Sequence, residues 1–271
     1  MTVIGTNVAA MRASYASTTA QNSLSKAIDR LSTGKRINSA ADDAAGNAIA
    51  TRMTSQIRGL NQAVRNANDG ISLAQTAEGG MNEIVNMLQR MRELSVQSAS
   101  GTLQDSDRVN LQAEVAELIL QIGDVSSRTD FNGVKLLDGT NTTVDVQTGS
   151  ASGETVSIAL TDVTAATLGI DAIDIGTAAG GDGALTTLDT ALDTITTAQA
   201  TLGAAQNRLQ ATVSSLVNRV TNLSESRSRI QDANFSEEST QLAKAQILSQ
   251  ASTAMLAQAN QSQQGVLSLI R

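Results

Sequence analysis

The chain has 271 residues and a formal net charge of −7, and it contains no proline, cysteine, histidine or tryptophan. Without histidine or cysteine there is no Ser-His-Asp or Cys-His nucleophile and no imidazole or thiolate metal site, so the sequence predicts neither an enzyme nor a metal or cofactor protein. The acidic balance argues against nucleic-acid binding, and no apolar run approaches the roughly 18 residues of a membrane-spanning helix.

The first half of the chain is dominated by one long helical pattern. Residues 1–43 carry short helical signals that stop at Ser32-Thr33-Gly34, and residues 44–100 then read as a single long helix. Its apolar residues alternate in steps of three and four, which places them on one seam. Because glycine costs about 1 kcal/mol relative to alanine in a helix interior, Glu78-Gly79-Gly80 predicts a break or kink. The seam consists of Ile57, Leu60, Val64, Ala67, Ile71, Ala74, Met81, Leu88 and Met91.

A third helix follows the polar linker Ser100-Gly101-Thr102. Asp105 or Ser106 has the side chain of a good N-cap for this helix. Its buried face is predicted from a stripe made of Leu111, Val115, Leu118, Ile122 and Val125.

The middle of the chain changes to strand and turn patterns. Asn132-Gly133 is a strong signal for a tight hairpin turn. Residues 143–147 and 155–160 alternate with period two around a Gly/Ser loop, which predicts a second hairpin. Residues 161–184 are mostly Ala, Thr, Gly and Asp and read as loop or weak strand.

The second long helix is predicted from about Leu185 to Gln231. The segment from Asp232 to Ser236 marks a break, and a final helix covers about Glu237 to Leu269. Seven heptad positions of the long helix hold Leu or Ile and form its seam: Leu188, Ile195, Leu202, Leu209, Leu216, Leu223 and Ile230.

These patterns predict a mainly α fold, a long antiparallel coiled-coil rod with a small β-hairpin region in the middle of the chain. Aromatic residues make up only 1% of the chain, which favours a thin aliphatic core of the coiled-coil kind. The predicted parts are an N-terminal assembly segment (1–43), the outer-rod helices and hairpin region (44–184), a C-terminal rod helix (185–233) and a C-terminal assembly helix (234–271). Short amphipathic helices are marginal alone in water, so we expect both ends to be mobile in the monomer and ordered in an assembly.

Several long motifs at both ends resemble bacterial flagellin. The most extensive is Leu31-Ser-Thr-Gly-Lys-Arg-Ile-Asn-Ser-Ala-Ala-Asp-Asp-Ala-Ala-Gly46, which is similar to the N-terminal signature of that family. Shorter matching stretches are residues 7–10, 206–209, 227–234, 245–250, 256–260 and 266–271. The similarity covers roughly residues 1–140 and 185–271, whereas large variable outer domains between the two halves look absent.

The resemblance implies a structural subunit that polymerises into the extracellular filament of the bacterial flagellum and serves swimming motility. It implies that the terminal segments form the inner core and that the chain is secreted unfolded through the flagellar export apparatus. The implied partners are further copies of the chain, an export chaperone, the filament cap and the hook-junction proteins. The absence of proline removes slow X-Pro isomerisation after export, which is consistent with this function.

A charged cluster near the end of the first helical segment is a candidate assembly site. Arg30 and Arg36 lie close in sequence to Asp29, Asp42 and Asp43. Charges that lose water in a filament need partners, so we expect these residues to pair between subunits. The adjacent acidic residues could be metal ligands, but acids near helix N-termini more often complement the helix dipole. The predicted assembly residues are Arg30, Leu31, Arg36, Asp42, Asp43, Leu248, Met255, Leu256 and Leu267.

The stretch from Gln89 to Leu94 can be interpreted in two ways. It is a mostly polar helix surface that could simply be solvated. It also resembles the stretch that a Toll-like receptor reads in some flagellins. That resemblance implies Arg90, Leu94 and Glu114 as contact residues for a host receptor.

Three other functions are alternatives to a filament subunit. A cytoplasmic coiled-coil adaptor usually continues its heptads to a hairpin tip and has no central strands. A membrane-inserting toxin or translocator needs more basic or aromatic amphipathic ends. A hook–filament junction protein shares flagellin-like ends and is the nearest alternative.

Overall fold

The computed structural model describes the backbone of residues 6–268 and the side chains of residues 6–265. The chain folds into helices α1 (Val8–Thr33), α2 (Ala44–Ala99) and α3 (Asp105–Arg128), strands β1 (Asp130–Phe131), β2 (Val134–Lys135), β3 (Thr143–Gln147) and β4 (Thr155–Ala159), and helices α4 (Ala178–Gln231) and α5 (Phe235–Ser268). The predicted fold class, mainly α with a small β region in the middle of the chain, is confirmed.

The chain divides into two compact units. The terminal unit comprises residues 1–57 and 221–271, and the central unit comprises residues 58–220. Helices α2 and α4 each contribute residues to both units.

In the central unit, α2 and α4 run antiparallel. Glu78 accepts a hydrogen bond from Gln206, and Asn82 accepts one from Gln199, so residue numbers rise along one helix as they fall along the other. Most residues of the two predicted seams are buried in this unit, and Met81, Leu88, Leu188 and Ile195 are completely inaccessible to solvent. Leu223 and Ile230, at the end of the α4 seam, belong to the terminal unit and are half-buried. The heptads therefore predicted the core of this unit correctly.

The expected break at Glu78-Gly79-Gly80 is absent, because α2 is continuous from Ala44 to Ala99. A Cβ atom at Gly80 would lie 2.8 Å from Leu137 Cδ1 and 2.8 Å from Thr129 Oγ1. The missing side chain thus lets residues 129 and 137 pack closely against the helix. Tertiary packing offsets the low helix propensity of glycine here.

The predicted N-cap of α3, Asp105 or Ser106, is also wrong, by one or two residues. The N-cap is Gln104, and its backbone N–H donates to Asp107 Oδ2 at 3.3 Å. The preceding turn is held by Arg108, whose Nε and Nη2 donate to the backbone oxygens of Ser98 and Ser100 at 2.9 Å each. Asp105 is the first helical residue and pairs with Arg108 instead of capping.

Both predicted hairpins are present. Asn132 and Gly133 have φ values of 51° and 81°, the left-handed conformation that a two-residue turn between β1 and β2 requires. Strands β3 and β4 pair antiparallel, with Val146 opposite Val156. This hairpin lies on α2, where Asn66 Nδ2 donates to the Gln147 backbone oxygen at 3.1 Å.

Helix α4 begins at Ala178, earlier than the sequence predicts. The Thr177 hydroxyl accepts a hydrogen bond from the Gly180 N–H at 3.1 Å and so satisfies a free donor of the first turn. A Cβ atom at Gly181 would lie only 2.9 Å from the Ala99 nitrogen. Close contact with the end of α2 therefore explains why this glycine-rich turn is helical.

Candidate assembly interface

Helices α1 and α5 of the terminal unit lie against each other along their length. The N-cap residue of α1, Asn7, donates from Nδ2 to the backbone oxygen of Ala259 at 3.2 Å. Near the other end of α1, Arg30 Nη1 donates to Glu238 Oε1 at 2.8 Å. These two contacts make the pair antiparallel. The contact face is small and aliphatic, since Ala20, Ala27 and Ala245 are buried.

Both helices leave large apolar side chains in solvent. Tyr15 is 77% exposed and Phe235 is 71% exposed. Within residues 6–265, the other large exposed apolar side chains on this pair are Val8, Met11 and Ile28 of α1 and Ile247, Leu248 and Met255 of α5. A concentration of exposed apolar side chains of this kind marks a protein–protein contact surface.

The segment between α1 and α2 is bound to the end of α4. Gly34 has φ 68°, the left-handed conformation that ends α1. Its backbone oxygen accepts from the Ala233 N–H at 3.0 Å, and the Arg36 N–H donates to the Gln231 oxygen at 2.7 Å. The Arg36 side chain adds a 2.6 Å hydrogen bond from Nη2 to the Ile230 oxygen. The flagellin-like motif therefore holds a backbone turn in place.

The two aspartates of that motif act locally. Asp42 Oδ2 accepts from the backbone N–H groups of Ser39 at 3.0 Å and Asn38 at 3.2 Å, and these bonds lower the pKa of Asp42 below its usual value of 3.8. Asp43 Oδ1 accepts from the Gly46 N–H at 2.9 Å and caps the first turn of α2. Both carboxylates stabilise helix and turn geometry inside the chain.

The structure supplies intrachain partners for the predicted assembly charges. Arg30 forms an ion pair with Glu238, and Arg36 donates a hydrogen bond to a backbone oxygen of α4. Neither arginine pairs with Asp29, Asp42 or Asp43, the acidic residues that lie close to them in the sequence. Glu238 was missed as a partner because 208 residues separate it from Arg30. The role of these charges between subunits stays a prediction.

The predicted apolar assembly residues differ in exposure. Leu248 is 47% exposed and Met255 is 64% exposed. Leu31 and Leu256 are half-buried. The side chain of Leu267 lies outside the described residues. The sequence analysis did not include Tyr15 and Phe235 among the assembly residues, although both are more exposed than Leu248 and Met255. Their aromatic character, rare in this chain, was the signal that could have identified them.

The three predicted receptor-contact residues are in the central unit. Arg90 Nε donates to Glu114 Oε1 at 2.8 Å and Nη1 donates to Glu93 Oε2 at 3.0 Å, and these bonds raise the pKa of Arg90 above its usual range. The Arg90 and Glu114 side chains are about half exposed. Leu94 is only 1% exposed and lies in the core. Arg90 and Glu114 are therefore accessible to another protein, whereas Leu94 is not.

Two other kinds of feature are absent from the described residues. No group of three or more acidic side chains is arranged to hold a metal ion within this part of the chain. None of the helices within residues 6–268 is long and apolar enough to cross a membrane.

Two family models match the chain. The bacterial flagellin N-terminal helical region matches residues 4–142, and the bacterial flagellin C-terminal helical region matches residues 185–270. The first match includes α1, α2 and α3, and the second includes most of α4 together with α5. Residues 143–184, which hold β3 and β4, lie between them.

Curated relatives and solved structures agree with these models. A flagellin of Salmonella muenchen and a phase 1 flagellin of Salmonella naestved are each 52% identical to the chain over 168 residues, 62% of this chain and 33% of the relative. The chain thus matches about a third of the length of these relatives. The crystal structure of Bacillus cereus flagellin has 30% identity and a TM-score of 0.52, and the match covers 60% of this chain and 94% of that one. A flagellar hook-associated protein structure from Vibrio parahaemolyticus, at 17% identity, has a TM-score of 0.60 over 70% of this chain and all of that one, and it shows the fold alone.

Proposed function

Since the chain belongs to the bacterial flagellin family, we propose that it is a structural subunit that polymerises into the flagellar filament through its N- and C-terminal helices. The family matches cover both terminal helices and leave only residues 143–184 unmatched between them. The chain is therefore a short form without a large variable outer domain.

The observation that carries this proposal is the exposed apolar surface of the α1–α5 pair. Two paired helices bury alanines against each other and leave Tyr15, Phe235 and Met255 largely in water. Packing further copies against this surface removes that apolar area from solvent, which is the main favourable term in association. The predicted assembly residues Leu31, Leu248 and Leu256 belong to the same two helices.

The proposal includes the route by which the subunit reaches the filament. We infer export through the flagellar apparatus with a chaperone, and folding beneath the filament cap above the hook-junction proteins. A chain without proline or cysteine folds after export without slow isomerisation or oxidation, which supports this route. The filament is then extracellular.

Negative-stain electron microscopy tests the assembly proposal. The full chain is concentrated in a sulfate salt, which strengthens apolar burial, in parallel with a chain that lacks residues 1–43 and 234–271. Long filaments from the full chain and none from the trimmed chain are expected. Discrete particles from both samples, even when filament fragments are added as seeds, would contradict the proposal and favour a hook-junction or adaptor function.

A second proposal concerns the face that bears Arg90 and Glu114. We propose that a host Toll-like receptor contacts these two side chains, because both are about half exposed and their ion pair places them on one face of the central unit. The third implied residue, Leu94, is only 1% exposed, so the proposed contact does not include it.

A further inference from the structure

Methionine is the side chain of this protein that peroxides oxidise most readily. The chain has seven methionines and no cysteine, histidine or tryptophan. A thioether sulfur reacts with hydrogen peroxide to give methionine sulfoxide, which is polar where the thioether was apolar. A peroxide that reaches the folded chain therefore acts first on the methionines that are accessible to solvent.

The accessible methionines lie on the terminal helices. Met11 of α1 and Met255 of α5 are each 64% exposed, and they are the exposed methionines within residues 6–265. The side chain of Met1 lies outside the described residues. The other four belong to α2 and are less accessible: Met53 and Met87 are half-buried, and Met81 and Met91 are completely buried.

Met11 and Met255 lie at the same level of the antiparallel α1–α5 pair. Asn7 Nδ2 donates to the Ala259 backbone oxygen at 3.2 Å, which fixes the level of that end of the pair. Met11 follows Asn7 by four residues, and Met255 precedes Ala259 by four. Oxidation of both methionines therefore adds two polar groups at one level of the terminal helices.

Each of these methionines belongs to an exposed apolar stripe. Val8, Met11 and Tyr15 are spaced by three and four residues, so they lie on one face of α1, and all three are exposed. On α5, Leu248 and Met255 are seven residues apart, which is about two helical turns, and both are exposed. These stripes are part of the apolar surface that the proposed polymerisation covers.

We propose that Met11 and Met255 form an oxidation site that controls whether a folded subunit can join the filament. In the reaction, the sulfur lone pair attacks one oxygen of hydrogen peroxide and the O–O bond breaks. The attacked oxygen stays on sulfur, which is oxidised by two electrons, and the other oxygen takes up its proton and leaves as water. This inference rests on the proposed polymerisation and adds a chemical control to it.

The consequence for assembly follows from the polarity of the sulfoxide. Burying its oxygen against apolar side chains without a hydrogen-bond donor costs free energy. An oxidised subunit therefore packs poorly against its neighbours. In a subunit that has already been incorporated, both sulfurs are covered and react slowly.

Seeded elongation by oxidised subunits tests this site. Folded wild-type subunits are treated with hydrogen peroxide, catalase removes the peroxide, and mass spectrometry measures the sulfoxide at each methionine. The test variant carries Met11→Leu with Met255→Leu, which keeps apolar side chains of similar volume that peroxide does not oxidise. The matched control carries Met53→Leu with Met87→Leu, at two half-buried positions of α2. Circular dichroism checks that each treated sample keeps its helix content.

Oxidation should be fast at the two exposed residues and should slow elongation. We expect sulfoxide to form on Met11 and Met255 at least about fivefold faster in free subunits than in filaments, since burial excludes the peroxide. Oxidised wild type and the oxidised control should elongate about tenfold or more slowly than the same chains before treatment. The test variant should stay within about twofold of its own untreated rate. Methionine sulfoxide reductases should restore wild-type elongation, because they reverse the modification.

Three results would overturn the oxidation site and leave the polymerisation proposal intact. They are unchanged elongation by wild-type subunits with sulfoxide at both residues, an equal loss of elongation in the test variant, and equally fast oxidation of both residues in filaments. The reductase and filament measurements use the wild-type chain alone, so they test the site even if the variant elongates poorly. Failure of untreated wild-type subunits to elongate on seeds would instead contradict the polymerisation itself.

Discussion

Arg30 of α1 and Glu238 of α5 are joined by a 2.8 Å ion pair between Nη1 and Oε1, although 208 residues separate them in the chain. Their side chains are 31% and 11% exposed, so the pair is partly shielded from water. It fixes the position at which the two terminal helices meet. The terminal unit therefore depends on a contact between the two ends of the sequence.

Arg30→Ala should weaken the pairing of α1 with α5 by about 1–2 kcal/mol, the range for a partly buried charged hydrogen bond. We expect fewer and shorter filaments, with the central unit still folded. Electron microscopy gives the filament length, and hydrogen exchange of α1 and α5 amides gives the local opening. Arg12→Ala is the matched control, an exposed arginine of α1 without an ion pair among the described residues. Filaments of normal length from Arg30→Ala would refute the assembly role.

Gly80→Ala should destabilise the central unit even though alanine favours helix. The added Cβ would lie 2.8 Å from Leu137 Cδ1, and overpacking of this kind costs about 1–3 kcal/mol. Gly79→Ala is the matched control, because no heavy atom lies within 4 Å of its Cβ position and the gain in helix propensity is about 1 kcal/mol. Urea unfolding of the full chain is monitored by circular dichroism, and the urea concentration at the midpoint should fall for Gly80→Ala and rise for Gly79→Ala. If both variants shift the midpoint in the same direction, close packing at Gly80 does not explain the unbroken helix.

Arg90→Asp should abolish receptor signalling if the wild-type chain signals. The substitution removes both ion pairs of Arg90 and places a negative charge beside Glu93 and Glu114. Arg92→Asp is the control, since Arg92 has similar exposure but pairs with Asp189. A cell reporter for the receptor measures the response. An unchanged response to Arg90→Asp, or an equal loss with Arg92→Asp, would contradict the proposed contact face.

The turn before α2 should be sensitive to acid. Backbone hydrogen bonds from Ser39 and Asn38 lower the pKa of Asp42 in the folded chain below its usual 3.8. A carboxyl group with a lowered pKa stabilises the fold above its unfolded pKa, and that contribution is lost as the pH falls through the folded pKa. Exchange protection of the Asn38 and Ser39 amides should therefore decrease on acidification below about pH 4.

Asp42→Asn is the variant that tests this pH dependence. It should lower the protection of the two amides at neutral pH, because the neutral amide oxygen is a weaker acceptor than a carboxylate. The variant should also show a flatter response to acid than the wild type. If the exchange protection of the two amides falls with pH in the same way in the variant and the wild type, a group other than Asp42 causes the pH dependence.

Much of the fold could be predicted because its signals are local. The heptads of α4, the Asn132-Gly133 turn and the alternation of residues 143–147 depend on spacing and on the conformations that single residues prefer. The same local patterns predicted the last helix closely, but they gave only short helical signals within residues 1–43, where α1 is one continuous helix. The flagellin-like motifs were continuous in sequence, so the family could also be identified from the sequence.

Apart from the N-cap of α3, the main errors of prediction involve contacts between distant residues. Gly80 reads as a helix break until Leu137 is known to pack against it, and the helical start at Ala178 depends on the approach of Gly181 to Ala99. The true partner of Arg30 could not be found from neighbouring residues, because α5 follows more than 200 residues later.

The sequence by itself determined the helices, the hairpins, the aliphatic core and the family of this protein, since each is specified by residue type at a regular spacing. Only the tertiary structure decided which charges pair and which apolar side chains stay in water. Those properties depend on which helices lie side by side and at what level. The packing of whole seams fixes that register, and no single stretch of the chain contains it.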